Sequence, residues 1–165
     1  MIEYRYRLLR LFEAIGEING RKRLQKMFFI IQSLGYDLDL DYTYHNYGPY
    51  SSQLQAEVDF LIQEKLINEE LISNMYVYKL QDEGKQLLQK LYDNGLTGFS
   101  PNVPENVIEK LRNQEAKFLE LVSTIIYLRD FGFEGEALKG KVNDLKPHLM
   151  EYYPDALEFI DDLRQ

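Results

Sequence analysis

Four cationic side chains near the N-terminus have the type and spacing to hold an anion. They are Arg21, Lys22, Arg23 and Lys26, and hydrophobic periodicity places them at the start of a predicted helix. Backbone amides at a helix N-terminus attract phosphate and carboxylate groups, so the cluster is a candidate anion or nucleic-acid contact. The alternative is a solvated charged face, which 28% charged residues make common. Cations at this end of a helix oppose its dipole, so something must compensate them.

A second group of candidates is rich in tyrosine. It comprises Tyr36, Tyr42, Tyr44, His45, Tyr47 and Tyr50. Tyrosines present large, rigid, amphipathic surface and often anchor protein interfaces. The alternative is that they cap the core between two helices, each with its hydroxyl paired. Five tyrosines in fifteen residues exceed what a small loop easily buries, so we predict that some of them bind a protein partner.

Catalytic chemistry has little support in the sequence. The chain has no cysteine, and its two histidines, His45 and His148, lie far apart with no nucleophile motif. The acidic pairs Glu69-Glu70 and Asp161-Asp162 are adjacent, so their side chains diverge on a helix or strand. The sequence contains no glycine-rich phosphate loop and no zinc-binding spacing. We therefore expect a non-enzymatic protein without a metal or other cofactor.

The net charge of −8 is unevenly distributed along the 165 residues. Residues 1–50 contain seven Lys or Arg against six acidic residues, and the remainder contains 12 against 21. Lys and Arg supply most non-specific affinity for DNA, so nucleic-acid contact would have to be local and near the N-terminus. The sequence has no apolar run near 18 residues and no secretory signal pattern. We expect a cytoplasmic protein that does not bind membranes.

Three predicted helices position the candidate residues. Apolar stripes predict the first from about Tyr4 to Ile15 and the second from about Arg21 to Leu34. The third begins near Ser51 or Ser52, because Ser52-x-x-Gln55 has capping-box spacing. Between the second and third helices, alternation from Asp41 to Tyr47 predicts a short strand or extended arm, which Gly48-Pro49 ends.

A β-hairpin is predicted from Ile67 to Leu80, with its turn at Ser73-Asn74, followed by a helix from about Asp82 to Asn94. Helices followed by this hairpin predict a mainly α, α+β fold: a winged helix-turn-helix over residues 1–94, with the hairpin as wing. The two surfaces with which winged-helix proteins usually contact DNA are acidic in this sequence. The outward residues of the third helix are Gln53, Gln55, Glu57, Asp59, Glu64 and Lys65, and the wing tip carries Glu69, Glu70, Ser73 and Asn74 without Lys or Arg.

The C-terminal part is predicted to be a helical extension over residues 104–165, joined by a linker at 95–103. A long helix from Pro104 to Asp130 carries a heptad seam of Val107, Leu111, Gln114, Phe118, Leu121, Ile125 and Leu128. One alternative is that this seam packs on the last two helices, about Glu134 to Lys146 and Pro154 to Arg164. The other is a homodimer seam, in which Gln114 fixes the register.

Two motifs carry a resemblance to known families. Gly20-Arg21-Lys22-Arg23-Leu24-Gln25-Lys26-Met27 followed by Tyr47-Gly48-Pro49-Tyr50-Ser51 resembles the YwgA-like family of uncharacterised bacterial proteins, best over residues 8–92. Arg23-Leu24-Gln25-Lys26 and Tyr47-Gly48-Pro49 are more loosely similar to the Panacea (SocA-type) antitoxin domain. That likeness implies a compact helical domain and, for the antitoxin relatives, neutralisation of a toxin by protein contact.

The hairpin from Ile67 to Leu80 separately resembles the wing of PadR- and MarR-like regulators, which bind DNA as dimers through a terminal helix. Our leading hypothesis is a non-enzymatic winged-helix module that engages a protein partner through residues 36–50 and the basic face of the second helix. The alternative is a DNA-binding transcriptional regulator. It is favoured if one positive face unites Arg5, Arg7, Arg10, Arg21, Lys22, Arg23 and Lys26.

Overall fold

The computed structural model describes residues 2–96 and 101–165, which form a mixed, mainly helical α+β fold with two small antiparallel sheets. The first half contains α1 (Ile2–Ile15), β1 (Ile18–Asn19), α2 (Arg21–Ser33), β2 (Thr43–His45), β3 (Gly48–Tyr50), α3 (Ser52–Gln63), β4 (Ile67–Ile72), β5 (Met75–Leu80) and α4 (Asp82–Asp93). The second half contains α5 (Glu105–Arg112), α6 (Ala116–Asp130), α7 (Gly135–Leu145), a 3₁₀ helix (Pro147–Tyr152) and α8 (Tyr153–Leu163). The predicted α+β composition is confirmed.

The predicted β-hairpin is present as β4 and β5. Its turn residues Ser73 and Asn74 have φ of 50° and 65°, and two positive φ values give the turn a twist that matches the flanking strands. Strand β1 was not predicted; it adds a third strand beside β5 by pairing Ile18 with Tyr78. The sheet order is β1-β5-β4. A strand of two residues is too short to show the alternation on which prediction depends.

The start of α3 is confirmed at Ser52, but its cap differs from the predicted one. Ser51 is the N-cap, and its hydroxyl accepts a 3.0 Å hydrogen bond from the Leu54 amide. The predicted capping box from Ser52 is therefore wrong. Its second member, Gln55, instead donates a 2.9 Å hydrogen bond to Asp59 one turn later.

The segment between α2 and α3 is a second hairpin rather than one arm. Gly48–Tyr50 does not end the predicted strand as expected but forms β3, which pairs with β2 and places Pro49 opposite Tyr44. Gly48 has a φ of +100°, a conformation that favours glycine. A Cβ at this position would lie 3.3 Å from the Thr124 hydroxyl oxygen. The second hairpin therefore lies directly on α6.

The predicted long helix from Pro104 to Asp130 is wrong, because the structure divides it into α5 and α6. Helix α5 is C-capped by Asn113, and Glu115 has the extended φ and ψ of −69° and 152° that precede α6. Two short helices satisfy the heptad spacing as well as one long helix, so the pattern did not reveal the break. Residues 97–100 of the predicted linker lie outside the described residues.

Helices α2 and α6 pack against each other at the centre of the fold. Eight consecutive residues of α2 and eight consecutive residues of α6, Leu24–Ile31 and Leu119–Ile126, are buried. A helix that is buried on all sides belongs to a core rather than to a surface. Helices α7 and α8 pack on α6 from other directions. Among the described residues no helix is long and apolar enough to cross a bilayer.

Most of the predicted seam lies inside this core. Val107, Leu111, Leu121, Ile125 and Leu128 are buried within the single chain. Phe118 is partly buried in an edge-to-face contact with Phe159 of α8, at 5.4 Å between ring centroids. The carbonyl oxygen of Gln114 accepts a hydrogen bond from Arg23. These side chains are thus buried within the single chain as the intramolecular alternative has it, although α1 and α2 are partners in addition to the last two helices.

Candidate functional site

An open pocket of about 540 Å³ lies where the start of α2, the β2–β3 hairpin and α3 meet. It brings together three of the four predicted cations and three of the six predicted aromatic residues. We call it the tyrosine pocket. It is lined by Arg21, Lys22, Gln25, Lys26, His45, Asn46, Tyr47, Gly48, Tyr50, Gln55 and Asp59.

Two buried polar side chains of α2 hold the wall of this pocket. The Gln25 side-chain amide exchanges two hydrogen bonds with the backbone of Ser51, donating at 3.0 Å and accepting at 2.9 Å. The Lys26 ammonium donates a 2.7 Å hydrogen bond to the carbonyl oxygen of Pro49. Buried backbone polar groups need such partners. The Leu-Gln-Lys motif of α2 and the Tyr-Gly-Pro-Tyr-Ser motif are therefore two halves of one structural contact.

Lys26 was predicted as a surface cation, but its side chain is buried, with 2% exposed. Burial lowers the pKa of its ammonium from 10.5 to about 8, although the nearby Glu120 carboxylate opposes this shift. Glu120 forms a buried ion pair with Lys146, at 3.0 Å between Oε2 and Nζ. Lys146 also donates a 2.7 Å hydrogen bond to the carbonyl oxygen of Asn46, in the β2–β3 turn.

Sequence analysis did not identify Glu120 or Lys146. They lie on α6 and just after α7, about a hundred positions after the residues they help to hold. The only signal in the sequence was a polar residue, Glu120, within an apolar helix, and this signal does not identify the residue with which it pairs. Together with Lys26 these residues make a structural charge cluster under the pocket.

The open face of the tyrosine pocket presents aromatic surface beside cations. The Lys22 ammonium lies 3.4 Å from the centroid of the Tyr47 ring, which is 54% exposed. The rings of His45 and Tyr50 stack with centroids 4.6 Å apart. Asp59 of α3 supplies the carboxylate of the opposite wall. Such a surface can bind a group that combines negative charge with apolar area.

Arg21 lies at the edge of the tyrosine pocket. Its guanidinium lies 3.9 Å from the centroid of the Tyr76 ring and 3.9 Å from the Glu69 carboxylate. Glu69 also accepts a 2.6 Å hydrogen bond from the Tyr78 hydroxyl. Burial and this carboxylate raise the pKa of Tyr78, which keeps the hydroxyl protonated as a donor. Arg21 is therefore positioned by the β4–β5 hairpin while half of its side chain stays exposed.

The remaining predicted cation, Arg23, has a structural role. It donates hydrogen bonds to the carbonyl oxygens of Asn19 at 3.1 Å and Gln114 at 2.8 Å. These contacts hold the start of α2 against the break between α5 and α6. The four predicted cations thus divide into two exposed residues, Arg21 and Lys22, and two that hold the fold, Arg23 and Lys26.

The other predicted tyrosines contact the core rather than the pocket. Tyr36 and Tyr42 are half-buried, and Tyr42 packs edge-on to Phe29 with centroids 4.9 Å apart. Tyr44 packs beside Tyr127 at 5.5 Å, and its hydroxyl lies 3.3 Å from that of Thr124. For these three the core-capping alternative describes the observed contacts.

The arginines of α1 form contacts outside the tyrosine pocket. Arg5 pairs with Glu57 of α3 at 2.8 Å, Arg7 donates to the carbonyl oxygen of Asp37, and Arg10 pairs with Glu13. They do not join Arg21 and Lys22 in the tyrosine pocket. Within residues 2–96 and 101–165, no three His, Asp or Glu side chains are placed to hold a metal ion.

Comparison with known proteins places this chain in a family. No family model matches the sequence. A curated protein of Bacillus subtilis (strain 168), described as "Uncharacterized protein YwgA", is 31% identical over 176 aligned positions, which cover 100% of this chain and 99% of the relative. The chain therefore belongs to the YwgA-like family of uncharacterised bacterial proteins.

Proposed function

We propose that the protein is a non-enzymatic winged-helix module that binds a protein partner at the tyrosine pocket. Helices α1, α2 and α3 followed by the β4–β5 hairpin, with β1 completing the sheet in the order β1-β5-β4, support the winged-helix interpretation. In this interpretation the β2–β3 hairpin is an insertion between the two helices of the helix-turn-helix. The insertion supplies one wall of the pocket.

The observation that carries the proposal is the convergence of Lys22, Tyr47 and the His45–Tyr50 stack on one pocket. Tyrosine and cationic side chains in a concave, partly desolvated site are typical centres of protein recognition. The pocket wall is held by Gln25 and Lys26, so little of the surface has to be ordered when a partner binds. The resemblance to the Panacea domain makes a toxin protein one candidate for this partner.

The second candidate function is DNA binding, which the winged-helix arrangement itself favours. Three features weigh against it. Asp59 of α3 and the C-cap Glu64 are exposed acidic residues, and the tip of the β4–β5 hairpin carries apolar rather than basic side chains. The arginines of α1 are paired with carboxylates or backbone. Because phosphate contacts need free Lys and Arg, we expect weak binding to DNA.

In vivo photo-cross-linking tests the protein-partner proposal. A photoreactive phenylalanine derivative replaces Tyr47, and the matched control places it at Tyr92, another tyrosine that is 59% exposed but outside the pocket. We expect a discrete protein adduct from position 47 alone, which Lys22→Ala reduces. In binding assays with the isolated partner, Tyr47→Ala should weaken affinity by about 2 kcal/mol. Equal adducts from both positions would contradict the proposal.

A mobility-shift series over a range of salt concentrations tests the DNA alternative. We expect dissociation constants for random duplex DNA of about 10⁻⁴ to 10⁻⁶ M at physiological salt. Nanomolar, salt-sensitive binding to one operator sequence would replace the protein-partner proposal with the regulator.

A further inference from the structure

The tip of the β4–β5 hairpin exposes three large apolar side chains, with Ile72 and Met75 on one face of the hairpin and Leu71 on the other. Leu71, Ile72 and Met75 are 58%, 48% and 46% exposed. They lie on both sides of the Ser73-Asn74 turn, and Ile72 is paired directly with Met75. Single exposed apolar residues are ordinary, but contiguous patches on soluble proteins commonly mark interaction sites. This cluster was not part of the predicted site, because the hairpin was analysed for charge alone.

A groove of about 520 Å³ lies beside this tip, between the β1–α2 turn and the start of α6. Met75, Tyr76 and Ala116 supply its apolar surface. Gly20 lies at one end, where its φ of +106° favours glycine and Met75 Cγ would be in ordinary contact with a Cβ. We call Ile72 and Met75 together with this lining the hairpin groove. The lining consists of Asn19, Gly20, Arg21, Lys22, Arg23, Asn74, Met75, Tyr76, Glu115, Ala116 and Lys117.

The charge of the groove is opposite to that of the chain. Its lining contains four cations, Arg21, Lys22, Arg23 and Lys117, and one acid, Glu115, whereas the whole protein has a net charge of −8. Arg21, Lys22 and Lys117 are exposed. Arg21 lies over the Tyr76 ring, which fixes one cation above apolar surface. A ligand that complements this groove carries carboxylates next to apolar side chains.

The positive end of the α2 dipole is not compensated by a negatively charged residue in the first turn of the helix. Gly20 is its N-cap without a side-chain hydrogen bond, and the first turn contains no acidic residue. The cations in that turn oppose the helix dipole, which is unfavourable for each exposed charge. A carboxylate bound beside Arg21 and Lys22 would offset this cost and accept hydrogen bonds from free amides.

We propose that the hairpin groove docks a segment of a partner protein in which apolar side chains alternate with carboxylates. The apolar side chains pack on Ile72 and Met75, and the carboxylates bind Arg21, Lys22 and Lys117. The inference rests on the proposed function, because it assigns the chemistry of the partner. Arg21 and Lys22 line both the groove and the tyrosine pocket, so one chain can cross α2 from one site to the other.

Peptide display tests the groove without knowledge of the partner. A library of random 12-residue peptides is selected on the immobilised full chain, and enriched sequences are synthesised and measured by fluorescence anisotropy. We expect enriched peptides to combine Leu, Ile or Phe with Asp or Glu. The double variant Ile72→Ser/Met75→Ser and the charge reversal Lys117→Glu should each weaken their binding about tenfold or more. The control Leu96→Ser changes an exposed leucine outside the groove and should leave affinity unchanged.

Three results of the peptide selection would contradict the groove proposal: no enrichment, enrichment of basic peptides, or peptide binding that the double variant leaves intact. Sedimentation of the free protein adds one more, since a dimer that Met75→Ser dissociates would make a second copy the occupant. Tyr47→Ala separates this proposal from the proposed function. Peptides that lose affinity in the double variant but not in Tyr47→Ala support the groove independently of the tyrosine pocket, which the cross-linking experiment tests. The reverse pattern overturns the groove proposal alone.

Discussion

The Lys26 ammonium and the Pro49 carbonyl oxygen are joined by a 2.7 Å hydrogen bond in the interior of the protein. This contact fixes the β2–β3 hairpin on α2 and thereby sets the depth of the tyrosine pocket. It also places a cation where water cannot solvate it, which costs stability unless opposite charge lies near. The Glu120 carboxylate supplies part of that charge but is paired with Lys146.

This buried charge predicts a specific dependence of stability on pH. The pKa of Lys26 is about 8 in the folded protein against 10.5 for an ordinary lysine. Between these values the unfolded chain binds more protons, so this group makes folding more favourable as pH rises, by up to about 1.4 kcal/mol per pH unit. Below pH 8 both states are charged and the contribution is constant.

Urea unfolding at pH 7 to 10 measures this contribution. The parent should gain stability relative to Lys26→Met above pH 8, and the comparison removes the titration of other groups. Lys85→Met, which changes an exposed lysine of α4, is the control and should follow the parent. A constant difference between parent and Lys26→Met across the range would show that Lys26 keeps an ordinary pKa.

Substitution of Gly48 should combine two costs to stability, backbone strain and steric contact. Its φ of +100° strains any other residue, and a Cβ would also meet the Thr124 hydroxyl oxygen at 3.3 Å and Lys26 Cε at 3.5 Å. Gly16 is a matched control, because its φ of +86° is similar but nothing lies within 4 Å of a Cβ there. We expect Gly16→Ala to lower the free energy of unfolding by about 1 kcal/mol and Gly48→Ala by about 2 to 3 kcal/mol. Equal losses in chemical denaturation would mean that the β2–β3 hairpin moves away from α6 freely.

Local patterns in the sequence were sufficient to predict α1 to α4 and the β4–β5 hairpin, but not the break between α5 and α6. The apolar spacing in α2 and the Ser73-Asn74 turn are signals that neighbouring residues carry. The tyrosine pocket depends instead on Gln25 and on Lys26, which was predicted as a surface cation. The backbone partners of both side chains lie more than twenty positions later. Nothing local distinguishes a buried lysine with a distant carbonyl partner from a solvated one. The hairpin groove combines β1, β5 and α6, and only the fold brings these elements together.

Phe28 tests the core of α2. Its ring is fully buried and contacts the Phe12 ring, with centroids 5.3 Å apart. Phe28→Ala should lower the free energy of unfolding by about 3 to 5 kcal/mol, because it removes buried area and leaves a cavity. Phe131→Ala is the control, since that ring is 67% exposed and its loss should cost far less. A melting temperature of Phe28→Ala within a degree of the parent would show that this stripe is not the core.

Leu121 distinguishes a core helix from a dimer seam. It is fully buried in α6 within the single chain, so Leu121→Glu places a carboxylate in the core, where an unpaired charge costs several kcal/mol. Total stabilities of 5–15 kcal/mol leave little margin for such a loss. We therefore expect the variant to unfold or aggregate, as seen by circular dichroism and light scattering. Lys117→Glu introduces the same residue on the exposed side of α6 and should stay folded.

Light scattering of the parent should give a mass near 19.6 kDa. A parent of twice that mass that Leu121→Glu converts into folded monomers would instead place the predicted seam between two copies.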